Sequence, residues 1–216
     1  MIYSFIKDLL FPIECLGCQE PGAWVCQNCF RQLKYGGPSV NLVTGQNNFL
    51  DNIYIAGDYD DPLLSELIKK FKYHFIPDLK EPLSDFLALF WAGRLTLEPK
   101  LYQAKLLPIP LSKKRERWRG FNQAELLSNG LCNRLGLKSL SGLVRTKHLA
   151  PQSSLTSEER RLNILGAFSW TGPTIIDEHL ILIDDVVTTG STLEAAAQVL
   201  KEAGAAKVSA LVLAKG

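Results

Sequence analysis

Two adjacent carboxylates, Asp184 and Asp185, stand just before a turn rich in hydroxyls, Thr188-Thr189-Gly190-Ser191-Thr192. A tight glycine-containing turn that opens a helix leaves main-chain N–H groups unpaired and pointing outward. With the helix dipole and the threonine hydroxyls, these can hold a phosphate. Carboxylates just ahead of the turn can accept hydrogen bonds from vicinal sugar hydroxyls, so the two parts together suit a ribose 5-phosphate. The stretch has neither the GxxxxGK[ST] of a P-loop nor the GxGxxG of a dinucleotide site, which argues against ATP or NAD.

The elements that must hold these groups lie on either side. Leu180 to Ile183 is an unbroken apolar run, short enough for a strand and suited to one covered on both faces. Leu193 to Gly204 is a run of helix formers stopped by glycine. The acids are therefore expected at the carboxyl end of a strand, where open α/β sheets bind ligands. The whole stretch, LILIDDVVTTGST, resembles at all thirteen positions the 5-phosphoribosyl 1-pyrophosphate (PRPP) signature of type I phosphoribosyltransferases.

A second constellation is CLGCQEPGAWVCQNC, in which Cys15, Cys18, Cys26 and Cys29 form two CxxC pairs seven residues apart. Each pair brings two thiolates to one side of a tight turn, and two such knuckles complete a tetrahedral set for Zn²⁺. Four cysteines fill the coordination sphere, so the expected role is structural; a redox-active dithiol is the alternative. Cys132 falls in a helical pattern and reads as a packing residue.

The third is KLLPIPLSKKRERWRGFNQAELL. Between Lys113 and Arg119 stand five cations, Lys113, Lys114, Arg115, Arg117 and Arg119, against the single anion Glu116. The segment is too charged to bury and is open to three readings. It is a mobile lid whose arginines close over a leaving pyrophosphate, a solvated loop, or a basic-aromatic patch that stacks single-stranded nucleic acid on Trp118 and Phe121. Asn122 reads as the cap of a helix ending at Gly136.

The remaining chain supplies the scaffold. Leu63, Leu64, Leu67, Ile68 and Phe71 share one helical face, with Lys69, Lys70 and Lys72 largely on the solvated side, Lys72 and Tyr73 in a lesser reading within reach of a ligand, and His74 at the helix end. Another amphipathic helix is expected over Pro82 to Trp91. SGLVRT, HLILIDD and KVSALVLA read as strands of a mainly parallel sheet, and residues 53 to 90 are the best candidates for a hood over the acceptor. Residues 1 to 11 read as an amphipathic helix docked on the body, with a membrane anchor as the lesser alternative. With 46% hydrophobic and 21% charged residues the chain of 216 residues is globular, and a net charge of +2 does not by itself point to nucleic acid or membrane. No apolar run is long enough for a span and no export signal is evident, so a cytoplasmic location is expected.

Taken in order, the four-cysteine knuckle, YDDPLLSELIKKFKY, PIPLSKKRERWRGFNQAELL, QSSLTSEERRLNILGAF and the PRPP signature resemble the ComF family over nearly the whole chain. That resemblance implies an α/β, type I phosphoribosyltransferase fold, a mainly parallel sheet flanked by helices with a small N-terminal zinc module. The implied organisation is a helix and zinc finger over residues 1–35, a linker over 36–52 and the main domain over 53–216. It further implies PRPP, or another nucleotide containing ribose 5-phosphate, bound with Mg²⁺ at the acids Asp184 and Asp185 and the loop Val187, Thr188, Thr189, Gly190, Ser191 and Thr192. Ile109, Pro110, Leu111 and Ser112 fall where the superfamily places its pyrophosphate loop, often with a strained cis peptide, and Arg115 to Gln123 falls at the flexible hood.

Arg115, Arg119, Asp184 and Asp185 are the implied catalytic set, and the acids bind mainly the sugar, with metal contact indirect. Gln152, Arg160 and Asn163 match a family pattern that either lines the acceptor side or fastens a loop. Purine-salvage relatives carry an aspartate as general base where this chain has Thr188, as orotate-type enzymes do, so any transfer requires an acceptor that is already nucleophilic. Membership implies a role in DNA uptake during natural transformation, with single-stranded DNA and other uptake proteins as partners. A non-enzymatic DNA-binding competence factor and a PRPP-responsive regulator are the alternatives.

Overall fold

A computed structural model describes residues 13–36, 49–74, 76–146 and 166–216. Its centre is a parallel sheet of five strands: β1 (Asn52–Asp58), β2 (Lys105–Pro108), β3 (Lys138–Ser139), β6 (His179–Val187) and β7 (Lys207–Lys215), in the order β1-β7-β6-β2-β3. A short antiparallel pair, β4 (Leu143–Arg145) and β5 (Phe168–Trp170), lies apart from it. The expected mainly parallel α/β sheet is thus present, but SGLVRT leaves it. Only three of its residues are extended, and their partner is β5.

Side-chain alternation along the central strands builds two cores. Tyr54, Ile181, Ile183 and Leu211 face a layer made of α2 (Pro62–Tyr73), α3 (Lys80–Leu97) and α5 (Gln123–Leu135). Ile53, Leu180, Leu182 and Val212 face α6 (Ser191–Glu202) and β5. Leu180 to Ile183 are all fully enclosed, which explains the unbroken apolar run. β6 continues past that run through the acids to Val187, because Asp184, Val186 and Val187 keep register partners Val212, Ala214 and Lys215 on β7.

The helices follow their signals closely. Asp61 caps α2 by accepting from the N–H groups of Leu63 and Leu64, and Leu64, Leu67, Ile68 and Phe71 are its buried stripe. Asn122 caps α5 through the N–H of Ala124, and the helix stops at Gly136. The helix expected over Pro82 to Trp91 runs further in both directions, as α3. Cys132 is half-buried against the core, and His74 is exposed at the end of α2. The segment from residue 53, the candidate for a hood, opens with the core strand β1 and continues into α2 and α3. Between Lys113 and Arg119 the expected loop is a helix, α4, with no buried residue. Ahead of the sheet, α1 (Gln27–Gln32) belongs to the cysteine knuckle, and the stacking of Tyr35 on Phe86, 4.7 Å between centroids, fastens the knuckle's exit to α3. The helix expected over residues 1 to 11 falls outside the described residues.

At the amino edge of the sheet, His179 Nε2 lies 3.0 Å from Ser209 Oγ. Burial, followed by the charge of Lys207, pulls its pKa down to about 4. The folded chain therefore keeps this imidazole neutral, while the unfolded chain takes up a proton near pH 6.5. The unfolded state binds more protons between those values, so stability is full above about pH 6.5 and declines as pH falls toward 4. Allowing for the ring's partial exposure to solvent, the expected loss is about 1–2 kcal/mol. Urea unfolding at pH 7 and 4.5 checks it: the His179→Gln variant should show a shallower loss than the parent, and equal losses would refute the assignment.

Candidate functional site

The site is built where β6 meets α6. Asp184 is half-buried and Asp185 is 7% exposed; Asp184 Oδ1 accepts from the N–H of Asp185 at 2.8 Å, and Asp185 Oδ1 from that of Val186 at 2.7 Å. Each carboxylate is thereby held by main chain, leaving its other oxygen for a ligand. Burial, reinforced by the negative charge of Asp185, pushes the pKa of Asp184 up to about 7, with Lys72 and Arg145 among the groups acting the other way.

Val187 is buried, and the chain then turns through Thr188 and Thr189, both exposed, to Gly190. Gly190 has φ +75°, a left-handed conformation that glycine adopts without a steric penalty. It is the N-cap of α6 and has no side chain to cap that end, where Thr189 Oγ1 accepts a long 3.4 Å hydrogen bond from the N–H of Ser191. Thr189 Oγ1 and Ser191 Oγ lie 2.9 Å apart, with Thr192 following in the first turn. The result is an open N-terminus lined by hydroxyls.

The neighbouring strand β2 delivers the next segment. Ile109 donates its N–H to the carbonyl of Ile183 at 3.0 Å, which sets Ile109, Pro110, Leu111 and Ser112 beside the last turn of β6 before the acids. No peptide bond among the described residues is cis. Ser112 then caps α4 by accepting from the N–H of Arg115.

On α4, Arg119 is half-buried: Nη1 donates to Gln123 Oε1 at 2.8 Å, and the guanidinium lies 5.5 Å from the Tyr73 ring centroid. Burial pulls its pKa down while Asp185 and Tyr73 act against that, and an arginine so placed stays charged. Lys113, Lys114, Arg115 and Arg117 are exposed, and Trp118 is 58% exposed. Phe121 is half-buried, its ring centroid 5.4 Å from that of Phe71, and packs against the core.

Of two further residues in this region, the sequence leaves Lys72 as a lesser candidate for reaching a ligand and does not single out Arg145. Lys72 Nζ lies 2.7 Å from Asp185 Oδ1, contrary to its placement on the solvated side of α2. Arg145, at the end of β4, lies over Phe168 at 5.3 Å, and its charge reaches Asp184 and Arg115. Arg119 Nε, Gln123 Nε2 and Arg145 Nε are buried N–H donors without a hydrogen-bond partner among the described residues. An acid pair beside cations and spare donors suits a ligand that carries both hydroxyls and anionic oxygens. Gln152, Arg160 and Asn163 lie outside the described residues.

The cysteines form a separate centre. The sulfurs of Cys15, Cys18, Cys26 and Cys29 all lie within 4.8 Å of one another, and those of Cys18 and Cys26 are 3.6 Å apart. A Zn–S bond of about 2.3 Å gives a tetrahedral S···S edge of about 3.8 Å, so the donor set fits such an ion. Burial opposes ionisation of Cys15, but N–H groups of Cys26, Cys18 and Gly17 bring its pKa down to about 6. Cys29 is pushed up to about 12, first by the Cys18 thiol and then by burial, as expected where several sulfurs compete for negative charge. A β-carbon at Gly17 would stand 2.8 Å from Cys29 Sγ and 3.5 Å from Leu63 Cδ2, so this glycine lets the first knuckle close against both the second and the start of α2.

Comparison with known proteins agrees with this architecture. The family model of the phosphoribosyl transferase domain matches residues 122–216. Competence protein F of Haemophilus influenzae is 34% identical over 208 residues, spanning 93% of this chain and 90% of that protein. DNA utilization protein YhgH of Escherichia coli K12 is 32% identical over 93% of this chain and 83% of its own length. Competence protein ComFC of Bacillus subtilis is 38% identical over 72% of this chain and 60% of its own. Among the described residues no helix is long and apolar enough to cross a membrane.

Proposed function

Because the chain belongs to the family of Competence protein F and ComFC, and carries a phosphoribosyl transferase domain, we propose that it binds PRPP at the end of β6 and acts in DNA uptake during natural transformation. One observation carries the reading: a main-chain-fixed acid pair runs straight into a glycine-capped, hydroxyl-lined helix N-terminus, with Arg119, Arg145 and their spare donors close by.

Each group has a part in such binding. Asp184 and Asp185 accept the 2- and 3-hydroxyls of the ribose. The N–H groups at the start of α6, with Thr188, Thr189, Ser191 and Thr192, hold the 5-phosphate. Ile109 to Ser112 lie beside the acids and supply main chain to the pyrophosphate. Arg115 and Arg119 offset its charge as the bond to C1 lengthens. Mg²⁺ bound together with PRPP, held near Asp184 and Asp185, would supply further neutralisation of the pyrophosphate charge. Thr188 is no general base, so transfer needs an acceptor that is already nucleophilic. Cys15, Cys18, Cys26 and Cys29 hold a structural Zn²⁺ that fixes the knuckle, and the protein works in the cytoplasm.

Calorimetric titration with PRPP, with and without Mg²⁺, tests the proposal. Micromolar-scale binding that weakens at least about tenfold without the metal is expected, and absence of heat in both titrations would overturn it. Pyrophosphate release against a panel of bases then separates an enzyme from a PRPP-responsive sensor. A second reading, single-strand binding along α4, is favoured by the exposure of Lys113, Lys114, Arg115, Arg117 and Trp118 on one short helix. Steep salt dependence of oligonucleotide affinity would mark it.

A further inference from the structure

The ion pair between Lys72 and Asp185 is unusual for its setting. Only 15% of the lysine side chain and 10% of the aspartate side chain are exposed, at an N···O distance of 2.7 Å. Enclosed pairs of this kind lose about as much hydration as they regain in attraction, so fold stability alone is a weak reason for one to exist. It also stands on the carboxylate that the proposed ligand would use.

The charged and titratable groups facing the acid pair come from four elements. β6 provides the two acids themselves. α2 provides Lys72 and Tyr73; α4 provides Arg119, with Arg115 further out; β4 provides Arg145. Lys72 is the cation in salt-bridge contact with the pair among the described residues. Arg119 is engaged with Gln123 and lies over Tyr73, and Arg145 lies over Phe168.

Two neighbouring, partly enclosed carboxylates tend to share one proton, because both cannot ionise cheaply side by side. A protonated carboxyl donates through its O–H, and that oxygen no longer accepts from a sugar hydroxyl as a carboxylate does. Resting on the reading of the acids as a ribose shelf, we propose that Lys72 is a positioning residue: by neutralising Asp185 it lowers the proton affinity of the acid pair, so that the carboxylates accept sugar hydroxyls at a lower pH than they would without it. The elevated proton affinity of Asp184, which burial and Asp185 raise and Lys72 opposes, agrees with that role. The helix that carries Lys72 thereby takes part in sugar recognition without touching the sugar.

The full-length protein labelled with ¹³C at aspartate carboxyls tests this by NMR titration, with the parent compared against Lys72→Met, Lys72→Gln and Lys72→Arg. Without the ammonium, the apparent midpoint of the acid pair should rise by about one to three pH units, and arginine should restore it. In parallel, affinity for Mg²⁺ and PRPP at pH 7 should fall about tenfold or more in the Met and Gln variants, and the deficit should be clearly smaller at about pH 9. An unmoved carboxyl midpoint would overturn the proposal, as would an affinity loss equal at both pH values, which would mark Lys72 as a direct anion ligand. If the midpoint shifts but not even the parent binds PRPP, the lysine's effect on the acids is supported and PRPP is refuted as the ligand. Thermal melting shows which variants fold, and the Gln variant keeps the test decisive if the Met variant does not.

Discussion

A variant in which Asp184 and Asp185 are both asparagine is expected to lose affinity for PRPP by about 10²–10⁴-fold, because hydrogen bonds to charged groups contribute about 1.5–3 kcal/mol each. Asparagine keeps the shape and can still accept the N–H groups of Asp185 and Val186 that now bond the carboxylates. What it removes is the charge. The fold should persist, since replacing the pair relieves a like-charge contact even as it leaves Lys72 without a partner. Calorimetry together with a melting curve separates these effects. Affinity unchanged within about threefold would show that the ligand does not use the acids.

The second large effect concerns the cysteines. With Cys15 and Cys29 both changed to serine, bound zinc measured by atomic spectroscopy should fall from one ion per chain to near none. Structural zinc sites in small knuckles hold about 10–16 kcal/mol of binding free energy that is also folding free energy. Apart from the six-residue helix α1, the knuckle has little regular structure of its own, so it should unfold without its ion. The sheet, with its two cores on opposite faces, should remain. Limited proteolysis is expected to cut between residues 13 and 36 in the variant and to spare the rest. Equal protease resistance with and without the ion would show that the knuckle is held by packing alone.

Much of this site could be read from the chain because its parts are consecutive. Strand, acids, turn and helix occupy Leu180 to Glu202 without interruption, so local rules place the phosphate loop and the carboxylates together. The cysteines were legible for the same reason, as spacing alone brings each pair of sulfurs to one turn. Residues whose role depends on how distant elements meet are less legible: Lys72 is only a lesser candidate and Arg145 gives no signal. Lys72 directly follows Phe71, the last buried member of the α2 stripe, and a helical wheel places it at the border of the wet face. Only the docking of α2 over the end of β6 turns that border inward. Arg145 ends a strand of three residues that leaves the main sheet, too short for its side to be inferred. The α4 segment reads as a charged lid, a solvated loop or a basic-aromatic patch because its cations and lack of apolar periodicity conceal a helix started by Ser112 and ended by Gly120.

α2 has one further consequence. Its first turn abuts the knuckle, with Leu63 beside Gly17, and its last turn lays Lys72 on Asp185. Twelve helical residues make a stiff rod about 18 Å long. If the cysteines hold zinc and the acids a ribose, as proposed, this rod joins the two sites, and stripping the ion is expected to weaken ligand affinity at its far tip.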